Sequence, residues 1–382
     1  MGCVLHATKN MILPIPVNTP LLAGNEKKYL NECIDSGWIS SEGPFVEKFE
    51  TQFSKYVNRN YGIAVTSGSA ALDIAVKAIG IMQGDEVILP TFTIISPVFS
   101  ILNVGGIPVF VDSNAITWNM DVDKIECLIT PKTKAILVVH IYGLPVDMDK
   151  ILALSKKYNL LIIEDAAEMH GQTYNGKNCG SFGDISIFSF YPNKLITTGE
   201  GGMIVCNDKI LAERCKKLRN LSFETDKPRF VHYETGWNYR MTNLQAALGV
   251  AQLEQIELFV AKKKFLGNYY QNELAFLKDR GFRLPLQSIS YADNIYWVFG
   301  IIAPSENERE RLIHYLSEKK IGIRPFFWCM HEQPLFEKHN FAQFKFPVAE
   351  EMARCGFYIP SGLGLTEQEL SIVSKTIKDF YE

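Results

Sequence analysis

Two residues carry the most direct chemistry in this sequence. One is Lys194, within SIFSFYPNKLITTGEGG (186–202), and the other is Asp165, within LLIIEDAAEMHG (160–171). Lys194 follows the apolar run 185–190 and precedes polar, glycine-rich chain. An amine set against a wall of low polarity loses hydration, its pKa falls, and it becomes a nucleophile. A Schiff-base lysine requires that, although a lone lysine in such a place also reads as a solvated surface charge. Residues 160–163 are apolar without alternation, the pattern of a strand buried on both faces of a parallel sheet. The acidic residues stand where that strand ends, and open α/β sheets bind ligands at the carboxyl ends of their strands. Alone, Asp165 also reads as a helix N-cap. Together the two residues suggest an electron-sink cofactor of the pyridoxal phosphate kind, for which a protein supplies a lysine for the aldehyde and an acid for the ring nitrogen.

The surrounding pattern supplies elements able to hold such residues. From Tyr61 to Arg219 strand-like and helix-like segments alternate. Strands are predicted at 63–66, 86–89, 109–111, 135–139 and 161–163, with helices at 70–79, 122–129 and 151–158. Such alternation predicts a mostly parallel sheet with helices on both faces. From about Asn243 the texture changes. A long helix over 244–270 leads to strand candidates at 296–302 and 322–325, around a helix at 306–319 capped by Ser305. Thr66-Ser67-Gly68-Ser69 lies between a strand and a helix start, where it reads either as an N-cap turn or as a cradle in which helix amides meet an oxyanion. Phe92 reads as core, Ser189 as a buried serine bonded locally to backbone, and Glu168 as a surface carboxylate.

Composition sets bounds. The chain has 382 residues, 47% hydrophobic and 21% charged, with a formal net charge of −3 and a pI near 6.2. This is ordinary globular composition, long enough for two cores, and it lacks the basic stripe of a nucleic-acid binder. The Lys262–Lys264 run reads as a solvated helix face. The eight cysteines form no CxxC pair and the seven histidines have no metal-ligand spacing, so reduced thiols, no metal and a cytoplasmic location are expected. No apolar run approaches the ~18 residues of a membrane span. The start, MGCVLHATKN, is no convincing signal peptide. It has His6 where a myristoylation motif needs Ser or Thr, and residues 1–13 are expected to be a disordered extension.

EDAAEMHG, SFGDISIFSFYPNKLITTGEGG and GWNYRMTNLQAALG resemble the DegT-type sugar-nucleotide aminotransferases, from about Ile15 to the C-terminus. That resemblance implies the α/β fold type I aminotransferase architecture. A large cofactor-binding domain over 14–250 would hold the mostly parallel sheet, and 251–382 would form a smaller α+β domain. It also implies roles. Lys194 would carry pyridoxal 5′-phosphate, Asp165 would hold the ring nitrogen protonated, Gly68, Ser69 and Ser189 would bind the phosphate, and Phe92 would stack on the ring. Glu168 would touch the phenolic oxygen. Asn238 would reach the phosphate of a neighbouring subunit, implying at least a homodimer with shared sites. Arg240, Phe327 and His331 would meet substrate, Arg240 reading equally as an interface residue and the aromatic cluster as small-domain core.

The implied reaction moves an amino group from L-glutamate, through pyridoxamine 5′-phosphate, to C4 of a nucleotide-linked 4-keto-6-deoxy sugar. GDP-4-keto-6-deoxy-D-mannose is the substrate of the nearest likeness, with UDP- and dTDP-linked sugars as alternatives. A 3-dehydratase on the same fold replaces the lysine by histidine, and Lys194 argues against it. A cofactor-binding regulator without turnover usually carries a helix-turn-helix segment, for which the short N-terminal extension leaves no room.

Overall fold

The computed structural model describes residues 14–224, 226–339 and 341–382. The extension expected over residues 1–13 lies outside the described residues. Seven strands form the central sheet: Tyr61–Val65 (β1), Glu86–Pro90 (β2), Ile107–Val111 (β3), Thr133–Val139 (β4), Leu161–Asp165 (β5), Ile185–Ser189 (β6) and Gly202–Cys206 (β7). Their order is β1-β7-β6-β5-β4-β2-β3. The pairs from β3 through β6 are parallel, whereas β7 runs antiparallel to both β1 and β6. The predicted mostly parallel α/β sheet is therefore present.

Successive side chains of a strand face opposite sides of the sheet, and here both sides are filled. Ile63, Leu137, Val139, Ile163 and Ile187 enter one apolar cluster, while Ala64, Ile136, Val138, Ile162 and Phe188 enter another. This two-sided burial explains the unbroken apolar runs in the sequence. Beyond the sheet, Phe299–Ile302, Gly356–Ile359 and Arg324–Pro325 make a three-stranded antiparallel sheet with Gly356–Ile359 in the middle. Its core holds Tyr270, Phe299, Phe357 and Val373. The N-terminal residues 15–19 run along this unit, with the Ile15 amide on the Lys320 carbonyl at 3.0 Å and the Gly364 amide on the Thr19 carbonyl at 2.8 Å.

Several elements differ from the prediction. The helix expected over 122–129 is two short 3₁₀ turns, Val122–Lys124 and Glu126–Leu128. That segment is tied at Asp121, whose amide meets the Asp112 carbonyl at 2.8 Å, and again at Thr130, whose amide meets Thr133 Oγ1 at 2.9 Å. Too little chain lies between those ties for a capped helix. The long helix over 244–270 is two helices, Asn243–Leu253 and Ile256–Glu273. At the break the Gln255 amide makes a tight bond to the Gln252 carbonyl, and Glu254 accepts bonds from Asn25 and Tyr29. The strand Gly356–Ile359 escaped prediction because it is four residues long and follows helix Pro347–Cys355 without a turn. The helix Glu306–Glu318 begins as predicted, with Ser305 Oγ accepting the Glu308 amide at 3.2 Å.

The lysine run 262–264 is not a uniformly solvated face. Lys263 is 3% exposed, and its Nζ donates to the Ser361 carbonyl. Burial without a carboxylate partner holds this amine down at about 7, against 10.5 for an ordinary lysine. Between those values the unfolded chain binds a proton that the folded chain does not. Stability therefore falls as pH drops from the unfolded value toward the folded one, and below that the effect is constant. Lys263→Met removes this dependence. Urea denaturation of both proteins from about pH 10 down to about pH 6 should show the stability difference moving in the variant's favour until about pH 7 and then levelling. A difference that stays flat would mean that the amine is solvated in the folded chain.

Candidate active site

A cavity of about 380 Å³ opens where several strands end. Val139, Asp165 and Ser189, the last residues of β4, β5 and β6, all line it. The helix Gly68–Ala78, which follows β1, also begins in its wall. Ser67 caps that helix by accepting the Ala70 amide at 3.1 Å, and the Ala71 amide returns to the Ser67 carbonyl. The amides of Gly68 and Ser69 precede the intrahelical ladder and remain available to an anion. Ser69 Oγ meets Ser96 Oγ at 2.7 Å, and Ser189 Oγ accepts the Tyr191 amide at 3.4 Å. Gly68 is needed for this approach, because a β-carbon there would lie 2.8 Å from Ser189 Cβ. These groups suit the phosphate of a cofactor.

Lys194 reaches the same cavity after β6. Its Nζ lies 3.7 Å from Glu168 Oε1 and 4.0 Å from the centroid of the Trp297 ring. Burial lowers the affinity of this amine for its proton, and the neighbouring carboxylates of Glu168 and Asp165 pull the other way. Glu168 is no surface residue. It is buried, its Oε2 accepts the Tyr142 amide at 2.8 Å, and burial pushes its carboxyl upward against the charge of Lys194. Asp165 is 4% exposed, and burial raises it to about 6 despite the Ala167 amide and Lys194. The helix-cap alternative for Asp165 is not realised. No helix follows it, and its Oδ1 takes the Ala167 amide at 3.1 Å within a turn. A cationic ring nitrogen would suit this acid, so the residues present fit pyridoxal phosphate.

A second buried layer fixes Asp165 from behind. Glu164, its neighbour on β5, is fully buried on the other side of the strand. Burial would raise its carboxyl, but the hydrogen bonds from the His140 ring and from the amides of Gly180 and Phe182 hold it down at about 2. His140 Nδ1 accepts the Val146 amide at 3.0 Å, which leaves Nε2 to donate to Glu164 Oε1 at 3.2 Å. Ser186 Oγ donates to Glu164 Oε2 at 3.0 Å, and the Arg59 guanidinium bonds Ser186 Oγ at 3.2 Å.

The structure thus brings together Lys194, Asp165, Glu168, Gly68, Ser69, Ser189 and Phe327, all in the cavity wall. It does not bring the rest. Phe92 is 0% exposed and lies behind the wall, its ring 5.8 Å from Phe327 and 6.0 Å from Tyr142. Ile94, two residues later and 50% exposed, lines the cavity instead. The chain turns after β2 and sends position 92 inward. His331 is buried away from the cavity as a clasp, with Nδ1 on Thr91 Oγ1 at 2.8 Å and Nε2 on Glu350 Oε1 at 3.2 Å. Asn238 and Arg240 do not line the cavity of their own chain. Asn238 bridges to Asn220 through backbone, and Arg240 donates to the Asn220 side chain. Reading the sequence also missed Trp297, Tyr358 and Ile94 in the wall. The exposed isoleucine after PTFT was the one available signal.

Comparison with known proteins agrees with this geometry. The model of the DegT/DnrJ/EryC1/StrS aminotransferase family matches residues 20–378. A GDP-perosamine synthase of Escherichia coli O157:H7 is 43% identical over 96% of this chain and 98% of its own length. A GDP-perosamine synthase of Vibrio cholerae is 40% identical over 96% and 99%. Among solved structures, NtdA from Bacillus subtilis with bound cofactor PMP is similar with a TM-score of 0.85 and 31% identity, over 93% of this chain and 81% of that one.

The close approach at Gly68 generates a test. Gly68→Ala leaves the helix start unstrained, yet its methyl group must displace Ser189 or the anion. Absorbance titration of the variant with pyridoxal phosphate should show binding weaker by roughly tenfold or more. An unchanged affinity would mean that the phosphate is not held at this helix start.

Proposed function

The chain belongs to the DegT/DnrJ/EryC1/StrS aminotransferase family, and from that premise we propose that it transfers the amino group of L-glutamate to C4 of GDP-4-keto-6-deoxy-D-mannose, yielding GDP-perosamine and 2-oxoglutarate. The observation that carries the reading is the buried set Lys194, Asp165 and Glu168 beside two free helix amides in one cavity. The two relatives described as GDP-perosamine synthase support the sugar and the nucleotide.

Pyridoxal phosphate, when bound, supplies an electron sink for a carbanion. The chain's own groups do the rest. The amides of Gly68 and Ser69 and the hydroxyl of Ser189 bind the phosphate and set its position. Asp165 would face the ring nitrogen and keep it protonated. The layer of Glu164 and His140 holds Asp165 in place. Lys194 anchors the cofactor through Nζ. Once released, the same Nζ takes the α-proton of the amino donor and later delivers a proton to the C4 carbon of the sugar. Its low-polarity setting lowers the affinity of this amine for a proton, so that the free form it needs to act as a base is within reach. Glu168, which accepts the Tyr142 amide, would stand near the ring oxygen, and Phe327 and Tyr358 would form the wall against the sugar. No described helix is long and apolar enough to cross a membrane. We place the enzyme in the cytoplasm, where its free thiols, six of the seven described being buried, stay reduced.

The test is a substrate panel. Purified protein, L-glutamate and GDP-, UDP- or dTDP-linked 4-keto-6-deoxy sugars are combined, and products are identified by mass spectrometry. The expected product is the GDP-linked 4-amino sugar. Preference for a UDP or dTDP sugar would overturn the nucleotide assignment. Borohydride reduction with peptide mapping should place the pyridoxyl group on Lys194, and its appearance on another lysine would end that assignment.

The same reading includes a homodimer with shared sites. Asn238 and Arg240 stand outside their own cavity, and nearby Phe230 and Tyr233 are 73% and 65% exposed. A partner placing Asn238 at the neighbour's phosphate would explain both facts. Lys194→Ala chains mixed with Asn238→Ala chains form heterodimers in which one site has both intact residues. Activity should return in part after subunit exchange. Heterodimers without recovered activity would mean that each site lies within one chain.

A further inference from the structure

Trp297 makes two contacts around Lys194 that no sequence motif announces. Its indole Nε1 donates to the Asn193 carbonyl at 2.9 Å, and Asn18 Nδ2 adds a bond to the same carbonyl at 3.4 Å. The peptide leading into Lys194 is thereby pinned from the C-terminal unit. The face of the same indole lies 4.0 Å from Lys194 Nζ, well within the range of a cation–π attraction. The ring is 4% exposed and stacks on Tyr142 at 5.9 Å and 28°.

Unusual backbone supports this placement. Tyr142 and Tyr296 have φ of 57° and 52°, in the left-handed region that non-glycine residues rarely adopt. Tyr296 is held there by its amide on Asn294 Oδ1 at 2.6 Å and by its ring against Gly267, where a β-carbon would lie 2.0 Å from Tyr296 Cδ2. Gly143, at φ 104°, lets the two turns touch, since a β-carbon there would lie 2.6 Å from the Trp297 amide nitrogen. Strain of this kind persists where the surroundings over-determine it. Here both turns meet at the ring over Nζ.

We infer that Trp297 is a positioning residue for Lys194, its N–H fixing the peptide before the lysine and its ring face holding the amine as a cation. The inference rests on the reading of Lys194 as the cofactor lysine. The charged and titratable groups that face this amine or line its cavity are His140 after β4, Asp165, Glu168 and His170 from the segment at and after β5, Tyr191 after β6, Glu200 before β7, and Tyr358 of the small sheet. Lys263 also faces it, across a narrow space that Lys194 and Trp297 line. The carboxylates and the indole favour a positive Nζ. Burial opposes it.

The test uses Trp297→Leu and Trp297→Phe holoenzymes, with the absorbance of the lysine-bound cofactor titrated against pH. Loss of the ring face in Trp297→Leu should lower the titration midpoint by about one pH unit. Trp297→Phe keeps a face but lacks the N–H. Its midpoint should fall less, and its kcat should drop roughly tenfold at an unchanged KM for L-glutamate, about 1.4 kcal/mol. If Trp297→Leu binds cofactor and titrates as wild type, the inference is overturned. Should that variant fail to fold, Trp297→Phe decides alone, and a wild-type kcat overturns the inference. Wild-type labelling on a lysine other than Lys194 would overturn both this inference and the reading beneath it. Labelling on Lys194 with unaltered variants would overturn this inference only.

Discussion

Everything in this fold is arranged around the burial of one amine and two carboxyls at the ends of β5 and β6. Taking charges out of water is expensive, and a pair repays that cost only with good geometry and further hydrogen bonds. Lys194 and Glu168 approach to 3.7 Å, while Asp165 is raised to about 6 by the same burial. Lys194 beside the two buried carboxyls of Asp165 and Glu168 leaves this part of the site short of positive charge. On the proposed reading a protonated ring nitrogen would supply what is missing, so that cofactor binding would relieve a desolvation cost that the protein bears alone. The layer beneath serves the same end. Glu164 carries a full charge in the core because His140, Ser186 and backbone amides surround it, and this keeps the β5 end rigid.

Topology makes the juxtaposition possible. β1 and β6 run in the same direction because β7 lies between them and is antiparallel to both. Their carboxyl ends therefore share an edge, separated by two strand spacings, about 10 Å. The helix after β1 brings amides for a phosphate, and the loop after β6 brings the amine. A cofactor with phosphate and aldehyde on one ring spans a gap of that size. Had β7 been antiparallel to only one of them, the carboxyl ends of β1 and β6 would lie on opposite edges of the sheet, and the phosphate loop and the lysine would have been unable to serve one small ligand. The turn that precedes β7 also contributes Glu200 to the cavity wall.

Much of this was legible in the sequence, and the reason is local. Lys194, Asp165, Gly68 and Ser189 stand at strand ends, and strand ends are marked by apolar runs that stop abruptly. The failures concern which way a side chain points once the chain has left regular structure. Phe92 and Ile94 lie two residues apart after β2, and only the turn decides which faces the ligand. His331 follows an aromatic cluster near the cavity, yet its ring turns to Thr91 and Glu350. Lys263 sits in a lysine run that any helical wheel would place outside, and the contact with Ser361 draws it in. The break at Glu254 depends on Asn25 and Tyr29, more than 200 residues away in the chain. Long-range contacts of this kind leave no periodic trace.

Trp297 belongs to this last class, and it changes how the two parts of the chain relate. Trp297, Phe326 and Met330 come from the C-terminal half, yet they pack in the same apolar cluster as Ile163 and Ile187 of the large sheet. The cover over the Lys194 amine is therefore continuous with the core under it. Residues in the left-handed region cost of order 1 kcal/mol or more each, so Tyr142 and Tyr296 together remove a noticeable part of a net stability of roughly 5–15 kcal/mol. A core with both sheet faces filled can absorb that loss. What it obtains is an indole fixed by two turns, a carbonyl and a stacked tyrosine, which leaves Nζ a single well-defined place. In the role proposed for it, Lys194 would need freedom at its tip and none at its base, and the Asn193 carbonyl bonded to Trp297 is where that division would be made.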